Sequence, residues 1–241
     1  MVTGLYLCPL YNSMRVKKIQ VALIILLILA IDQVFKFYIK THFYLGQDHP
    51  VIGNWFRLHF VENEGMAWGW KLGESGSWGK IALTVFRLVA VVFGIYYINQ
   101  VIRKKYHTGF IICVAMIFAG AVGNLIDSLF YGMIFEASDP VVQNLAKIFP
   151  EGGGYAHFLH GKVVDMLYFP IIEAHWPKWV PWLGGDSFEF FSPVFNIADA
   201  SISLGLIIIL LFQNRFFKKH TDEKHPVVET NVTTSDDVQV L

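Results

Sequence analysis

Charge is what this chain has least of. Asp, Glu, Lys and Arg make up 16% of its 241 residues, against about a quarter in a soluble domain. That is too little to clothe a water-facing surface. The 19 basic residues are matched by 19 acidic ones, and without a basic excess a nucleic-acid-binding role is excluded. Two cysteines, Cys8 and Cys113, cannot build a disulfide scaffold. Cys8 has no basic segment before it to mark a lipidation site, and Cys113 reads as a small packed apolar residue. No internal repeat is evident, which weighs against an inverted-repeat transporter. His-Glu-x-x-His and Gly-x-Ser-x-Gly are both missing, so zinc-peptidase and serine-hydrolase chemistry lack their motifs. His157 and His160 stand three apart, but no nearby Cys or Glu completes a metal set. No metal or cofactor is expected.

What is abundant is apolar surface: 54% of residues are hydrophobic and the mean hydropathy is +0.47. Disorder is excluded by the same numbers, and a membrane protein remains. Four apolar stretches are long enough to cross about 30 Å of hydrocarbon as helices: 19–39, 81–102, 109–131 and 194–212. The expected fold is a mainly α, four-helix membrane domain (19–212) with a small β-rich subdomain on its outer connections, 42–80 and 132–193. A short N-terminus (1–18) precedes it, and a polar, disordered tail (213–241) follows. The first span passes Asp32 without a small-residue cleavage site, so it reads as an anchor and not a removed signal. Met14-Arg15-Val16-Lys17-Lys18 resembles a natural start, with 1–13 an upstream extension.

Basic residues sort by side. Arg15, Lys17 and Lys18 precede the first span, Arg103, Lys104 and Lys105 fill the second turn, and Arg215, Lys218 and Lys219 follow the fourth span. In a four-span topology all three clusters fall on one face, so the positive-inside rule predicts two cytoplasmic termini. The outer connections carry local order. Trp55–Val61 alternates aromatic and β-branched residues as a strand or hairpin does, and Val163–Ile172 is strand-like. Trp176, Trp179 and Trp182, among Pro177, Pro181 and Pro193, suit an interfacial cradle.

Ionisable residues within spans are costly and mark function by default. Asp32 lies about 20 Å up the first helix, Asp127 lies late in the third, and Asn196 and Asp199 open the fourth. Asp165 sits in the connection that leads there. All these carboxylates converge near the outer boundary. Asn124/Asp127 and Asn196/Asp199 repeat an i,i+3 pair, which puts both side chains on one helix face. Gly120 and Gly123 permit a close helix approach. Paired carboxylates that cannot both ionise cheaply suit water activation by a base and an acid. They equally suit proton or sodium binding in a transporter, and helix packing by polar groups is a third reading; spacing leaves these open.

Five blocks decide between them by resemblance: Asp32-Gln33-Val34-Phe35-Lys36, Asn63-Glu64-Gly65-Met66-Ala67-Trp68-Gly69, Gly120-Ala121-Val122-Gly123-Asn124-Leu125-Ile126-Asp127, Gly161-Lys162-Val163-Val164-Asp165 and Phe195-Asn196-Ile197-Ala198-Asp199. In this order, on this topology, the chain resembles the bacterial lipoprotein signal peptidases (signal peptidase type II). The resemblance implies an intramembrane aspartyl endopeptidase of the bacterial inner membrane. It would remove the signal peptide of prolipoproteins just before a diacylglyceryl-cysteine. Asp165 and Asp199 would be the catalytic dyad. Asn124, Asp127 and Asn196 would shape the site, and Asp32, Lys36, Asn63 and Gly65 would support it or contact the substrate. Its partners would be lipid-modified prolipoproteins and membrane lipids, and the chain would act as a monomer.

Two departures stand out. Where the family pattern follows the third-helix Asp with Arg, this chain has Ser128, and Arg87 of the second span lies within snorkelling reach as a replacement cation. Asp127 and Asp165 are also separated by an insertion over 132–160, expected to form a lid or a membrane-surface element.

Overall fold

A computed structural model of the chain describes residues 18–64, 77–170, 172–175, 179, 185, 187–190 and 193–217. The expectations placed on 1–13, Arg15, Lys17, Gly65, Trp176, Trp182 and the tail beyond 217 lie outside these residues.

Among the described residues, four helices are long and apolar enough to cross a membrane: α1 (Lys18–His42), α2 (Ser77–Arg103), α3 (Thr108–Ile126) and α4 (Ile197–Phe216). Central α3 packs against the other three. Its partners turn much of their apolar surface outward, for example Leu23, Leu26 and Leu27 of α1, Phe86 and Phe93 of α2, and Leu210 of α4. In water such exposure would oppose folding, whereas hydrocarbon accepts it. Between α2 and α3 the chain reverses through Lys105 at positive φ, and His107 caps α3 by accepting from the Gly109 amide at 3.1 Å.

Helix α3 continues beyond Ile126 through a π-helical turn, Asp127–Tyr131, and a closing turn, Gly132–Ile134. A π turn widens the backbone and is frequently found at functional sites. Here the Ser128 and Leu129 carbonyls accept from the Gly161 and Leu159 amides at 2.9 and 3.3 Å.

Close packing at the centre depends on two glycines. A Cβ on Gly120 would collide with the Ala198 carbonyl of α4, and one on Gly123 would lie 2.8 Å from an Asp32 carboxylate oxygen. Their spacing of three thus admits α4 at one glycine and the α1 carboxylate at the other.

The extramembrane strands are β1 (Asp48–Ile52), β2 (Phe56–Asn63), β3 (Val163–Tyr168), β4 (Ile172–His175), β5 (Ser187–Phe190) and β6 (Val194–Phe195). One antiparallel sheet has the order β1-β2-β3-β6, and β4-β5 form a separate hairpin. The alternating run at 55–61 is therefore the second arm of a hairpin, and 163–172 splits into β3 and the start of β4. The fourth span begins later than expected: Val194 and Phe195 are strand, and the helix starts at Ile197. Apolar residues serve a buried strand and a helix alike, so periodicity could not separate them.

Two apolar clusters bracket the bundle. Val21, Ile98, Val101, Phe110, Ile111, Val114 and Ala115 form one, and Ile39, Phe43, Phe60, Tyr131, Phe135, Val164 and Met166 form the other. Along α1 they fall at Val21 and Ile39, and the buried polar residues Asp32 and Lys36 lie between.

Candidate active site

Every element of the bundle contributes to one polar layer. Helix α1 offers Asp32, Gln33 and Lys36, α3 offers Asn124 and Asp127, β2 offers Asn63, β3 offers Asp165, and the start of α4 offers Asn196 and Asp199. The antiparallel register pairs Val61 with Asp165, which brings Asn63 of β2 within reach of the Asp165 side chain.

A relay of amides joins the two aspartates that the resemblance marks as a dyad. Asn196 Nδ2 donates to Asp165 Oδ1 at 2.7 Å and to Asn124 Oδ1 at 3.1 Å. Asn124 Nδ2 in turn donates to Asp199 Oδ1 at 2.7 Å. Asn63 Nδ2 reaches the other oxygen of Asp165 at 3.1 Å. Asp165 is 2% exposed, whereas Asp199 is half-buried. Burial pushes the Asp165 carboxyl up to about 7, and the neighbouring Asp199 charge acts in the same direction. The Asn63 and Asn196 amides favour the carboxylate but do not offset this.

The Asn196/Asp199 pair differs from its expected form. It is not a pair on a helix face but a reciprocal cap at the helix start. Asn196 Oδ1 accepts from the Asp199 amide at 2.8 Å, and Asp199 Oδ2 accepts from the Asn196 amide at 3.5 Å. Such a box satisfies amides that the first helical turn leaves without partners. Asp32 Oδ1 takes a third amide, that of Ala198, at 2.9 Å. A carboxylate there also complements the helix dipole.

Lys36 binds this layer together. Fully buried, its ammonium lies 2.9 Å from Asp32 and 2.8 Å from Asp127, and donates to Asn124 Oδ1 at 3.0 Å. Three acceptors match its three donor hydrogens, so each hydrogen has a partner within the protein. Gln33, to which the resemblance assigns no role, donates to Asp32 at 3.1 Å and to Asp127 at 3.0 Å, and accepts from the Tyr131 hydroxyl at 3.1 Å. Its place beside Asp32 at the same depth was the available signal. The backbone amide of Val164 approaches Asp127 Oδ2 at 3.4 Å.

Arg87 reaches in from α2. Its Nη1 donates to the Ser128 hydroxyl at 2.8 Å, and that hydroxyl donates to the Asn124 carbonyl at 2.9 Å. The guanidinium lies within electrostatic reach of Asp199, Asp127 and Asp165. Among the described residues no group of His, Cys, Asp and Glu is arranged to hold a metal ion; an ammonium occupies the gap between Asp32 and Asp127.

Known proteins share this framework. A sequence model of the family described as Signal peptidase (SPase) II matches residues 24–215. The lipoprotein signal peptidase of Porphyromonas gingivalis is 46% identical over 217 residues, covering 90% of this chain and 92% of the relative. That of Amoebophilus asiaticus is 32% identical over 221 residues, covering 90% and 85%. Among solved structures, a bacterial membrane enzyme determined by the in meso method at 2.3 Å resolution superposes with a TM-score of 0.53 at 26% identity. That match covers 87% of this chain and 98% of the other. A match running from the first helix to the last, joined to a layer of aspartates in a four-helix membrane bundle, fixes the assignment: the chain belongs to the signal peptidase II family of aspartic peptidases.

Proposed function

We propose that Asp165 and Asp199 form the catalytic dyad of a membrane-embedded endopeptidase that cleaves signal peptides from diacylglyceryl-cysteine-modified prolipoproteins. The carrying observation is the asymmetry of the pair. Asp165 is buried and held near 7, while Asp199 is half-buried at the mouth of α4. One proton is then shared at neutral pH, as acid–base work by two carboxylates requires.

Asp199 takes a proton from water as the water oxygen bonds to the scissile carbonyl carbon, and Asp165 gives its proton to the carbonyl oxygen. The tetrahedral intermediate collapses when the C–N bond breaks. Asp199 passes its proton to the departing cysteine nitrogen and Asp165 takes back the proton of one hydroxyl, which leaves a carboxylic acid, an amine and the dyad with its single proton on Asp165. Asn124 and Asn196 hold the two carboxyl groups in register. Asp32, Lys36 and Asp127 anchor that frame, and Asn63 orients Asp165. Gly65, outside the described residues, belongs with Asn63 in the substrate-facing block. Arg87 supplies the cation that the family pattern places at Ser128.

Anchoring supports the substrate class. A cysteine fixed at the bilayer surface by its acyl chains enters at constant depth, which turns encounter into positioning. The basic turn between α2 and α3 and the basic residues flanking α1 and α4 support cytoplasmic termini with the site near the outer face of the inner membrane. The chain works as a monomer, in contact with membrane lipids and independent of nucleic acid. The single membrane peptidase domain, expected over 19–212, takes in all of α1 and α4 and so spans 18–216.

Purified protein in detergent, mixed with a lipid-modified prolipoprotein, tests this reading. Asp165→Asn and Asp199→Asn should each abolish cleavage while still giving a cooperative melting transition no lower than that of wild type. Retained cleavage in either variant refutes the dyad.

A further inference from the structure

The segment inserted between α3 and β3 is a built element with a fastened base. Lys40, wholly buried at the end of α1, forms an ion pair with Glu62 of β2 and donates to the Ser138 hydroxyl at 2.8 Å. Its ammonium stands 5.0 Å from the Tyr155 ring centre and 5.9 Å from that of Phe135. From the other end of the segment, Lys162 lies 3.3 Å from Glu62, and its amide donates to the Tyr155 hydroxyl at 2.6 Å. Backbone bonds close the loop on itself: Phe135 bridges Ile148, and the Glu136 amide donates to the Lys147 carbonyl at 2.9 Å.

The tip is equally ordered. Asp139 accepts from the amides of Val141 and Val142 at 2.7 and 3.0 Å, and Asn144 accepts from the Asp139 amide at 2.8 Å. Gln143 and Phe149 adopt positive φ, 53° and 50°, a region uncommon for such side chains and worth explaining where it occurs. This fixed turn presents Val141 at 89%, Val142 at 72% and Phe149 at 75% exposure, with Leu145 and Ile148 about half exposed. A tip bathed in water has no use for such a display, since contiguous exposed apolar surface marks an interaction site.

The lipid-facing surface of α3 runs onto this display. Phe149 donates its amide to the carbonyl of Ile134, in the closing turn of that span, at 2.7 Å. Met133 beside it and Phe130 one turn before are exposed on the span itself, and Phe158 of the segment packs on Phe130 at 5.9 Å. Exposed Lys147, next to Ile148, suits a lipid phosphate.

We infer that the inserted segment is an interfacial anchor, with Val141, Val142, Leu145, Ile148 and Phe149 seated among the headgroups and upper acyl chains of the leaflet in which α3 ends. Because its base is fastened to Glu62, next to Asn63, the anchor sets the height of Asp165 above the bilayer. The anchoring itself does not rest on the peptidase reading.

Spin labels in vesicles test it. In a chain carrying Cys8→Ser and Cys113→Ala, a nitroxide is attached at Val141→Cys, Val142→Cys or Phe149→Cys, and the protein is reconstituted into phosphatidylcholine vesicles containing anionic lipid. Collision with oxygen is compared with collision with a water-soluble nickel chelate. Leu26→Cys serves as the lipid-facing reference and Glu151→Cys as the aqueous one. Oxygen accessibility should exceed nickel accessibility at all three tip positions, as at Leu26. Nickel exceeding oxygen places the tip in water, and low accessibility to both places it under protein; either result overturns the anchor.

Discussion

Arg87 and Ser128 meet across the bundle, guanidinium to hydroxyl, at 2.8 Å. The contact brings α2 into a site otherwise built from α1, α3, α4 and the sheet. It puts a cation one residue from Asp127, at the position where the family pattern carries Arg. A hydrogen bond from a charged donor contributes about 1.5–3 kcal/mol. Arg87→Ala should therefore lower kcat/KM roughly ten- to a hundredfold with a small change in melting temperature. Adding Ser128→Arg to that variant should restore much of the loss. An Arg87→Ala enzyme with unaltered kinetics would remove Arg87 from the site.

The pH dependence follows from Asp165. Its carboxyl titrates near 7 in the folded chain and near 4 when unfolded. Between those values the folded state holds a proton that the unfolded state has released. The resulting stabilisation is present at low pH and is lost as pH rises through about 7. In the proposed reaction that proton is the acid, so kcat/KM should fall on the alkaline side with an apparent pKa near 7, a property of the coupled pair. Asn63→Ala removes a donor that favours the carboxylate and should shift this limb upward. Asp165→Asn, neutral at every pH, should melt above wild type at pH 8 and alongside it at pH 5. A pH–rate profile and melting curves read both effects.

Asn196 performs two tasks that substitution can separate. Its oxygen caps α4 and its amide nitrogen serves Asp165 and Asn124. Asn196→Ala should lose the cap, at about 0.5–2 kcal/mol, together with activity. Asn196→Ser keeps a capping oxygen but lacks the amide, so it should fold near wild type and cleave at least about tenfold more slowly. Equal activity in the Ser variant and wild type would show that the relay through Asn196 is dispensable.

The Lys40–Glu62 pair predicts strong non-additivity. Removing one member of a buried ion pair costs about 3–5 kcal/mol, whereas replacing both with apolar residues is often neutral or better. Lys40→Met should destabilise the protein severely, and Lys40→Met/Glu62→Leu should recover much of the loss, as read by a double-mutant cycle in detergent. Additive losses would mean that the two groups act independently.

How much of this was legible in the sequence differs by residue. The four spans stood out because hydrocarbon demands long apolar runs, and the convergence of Asp32, Asp127, Asp165 and Asp199 followed from topology alone. Lys40 was not legible as a buried group. At the end of a span it reads as a boundary charge, although Asp32, Lys36 and Lys40 recur every four residues along one face of α1. Asn196 and Asp199 read as a helix-face pair because the strand residues Val194 and Phe195 are apolar enough to extend the helix. The partners of Asp165 are strand neighbours fixed by the β2–β3 register, which the separation of 63 from 165 in sequence conceals. Within the insertion, Val141 and Phe149 carried no periodic signal, since a tight turn has none.

Lys36 sits between Asp32 and Asp127 inside the supporting frame, while the Arg87 guanidinium acts first on Asp199 and then on Asp127 and Asp165. In the proposed reaction, turnover moves a proton only among the dyad, the water and the substrate at a single depth. Carrying a unit charge through the field would involve about 2.3 kcal/mol per 100 mV, and this cycle carries none. Peptide cleavage in this bundle should proceed at the same rate in an energised cell membrane and in a collapsed one.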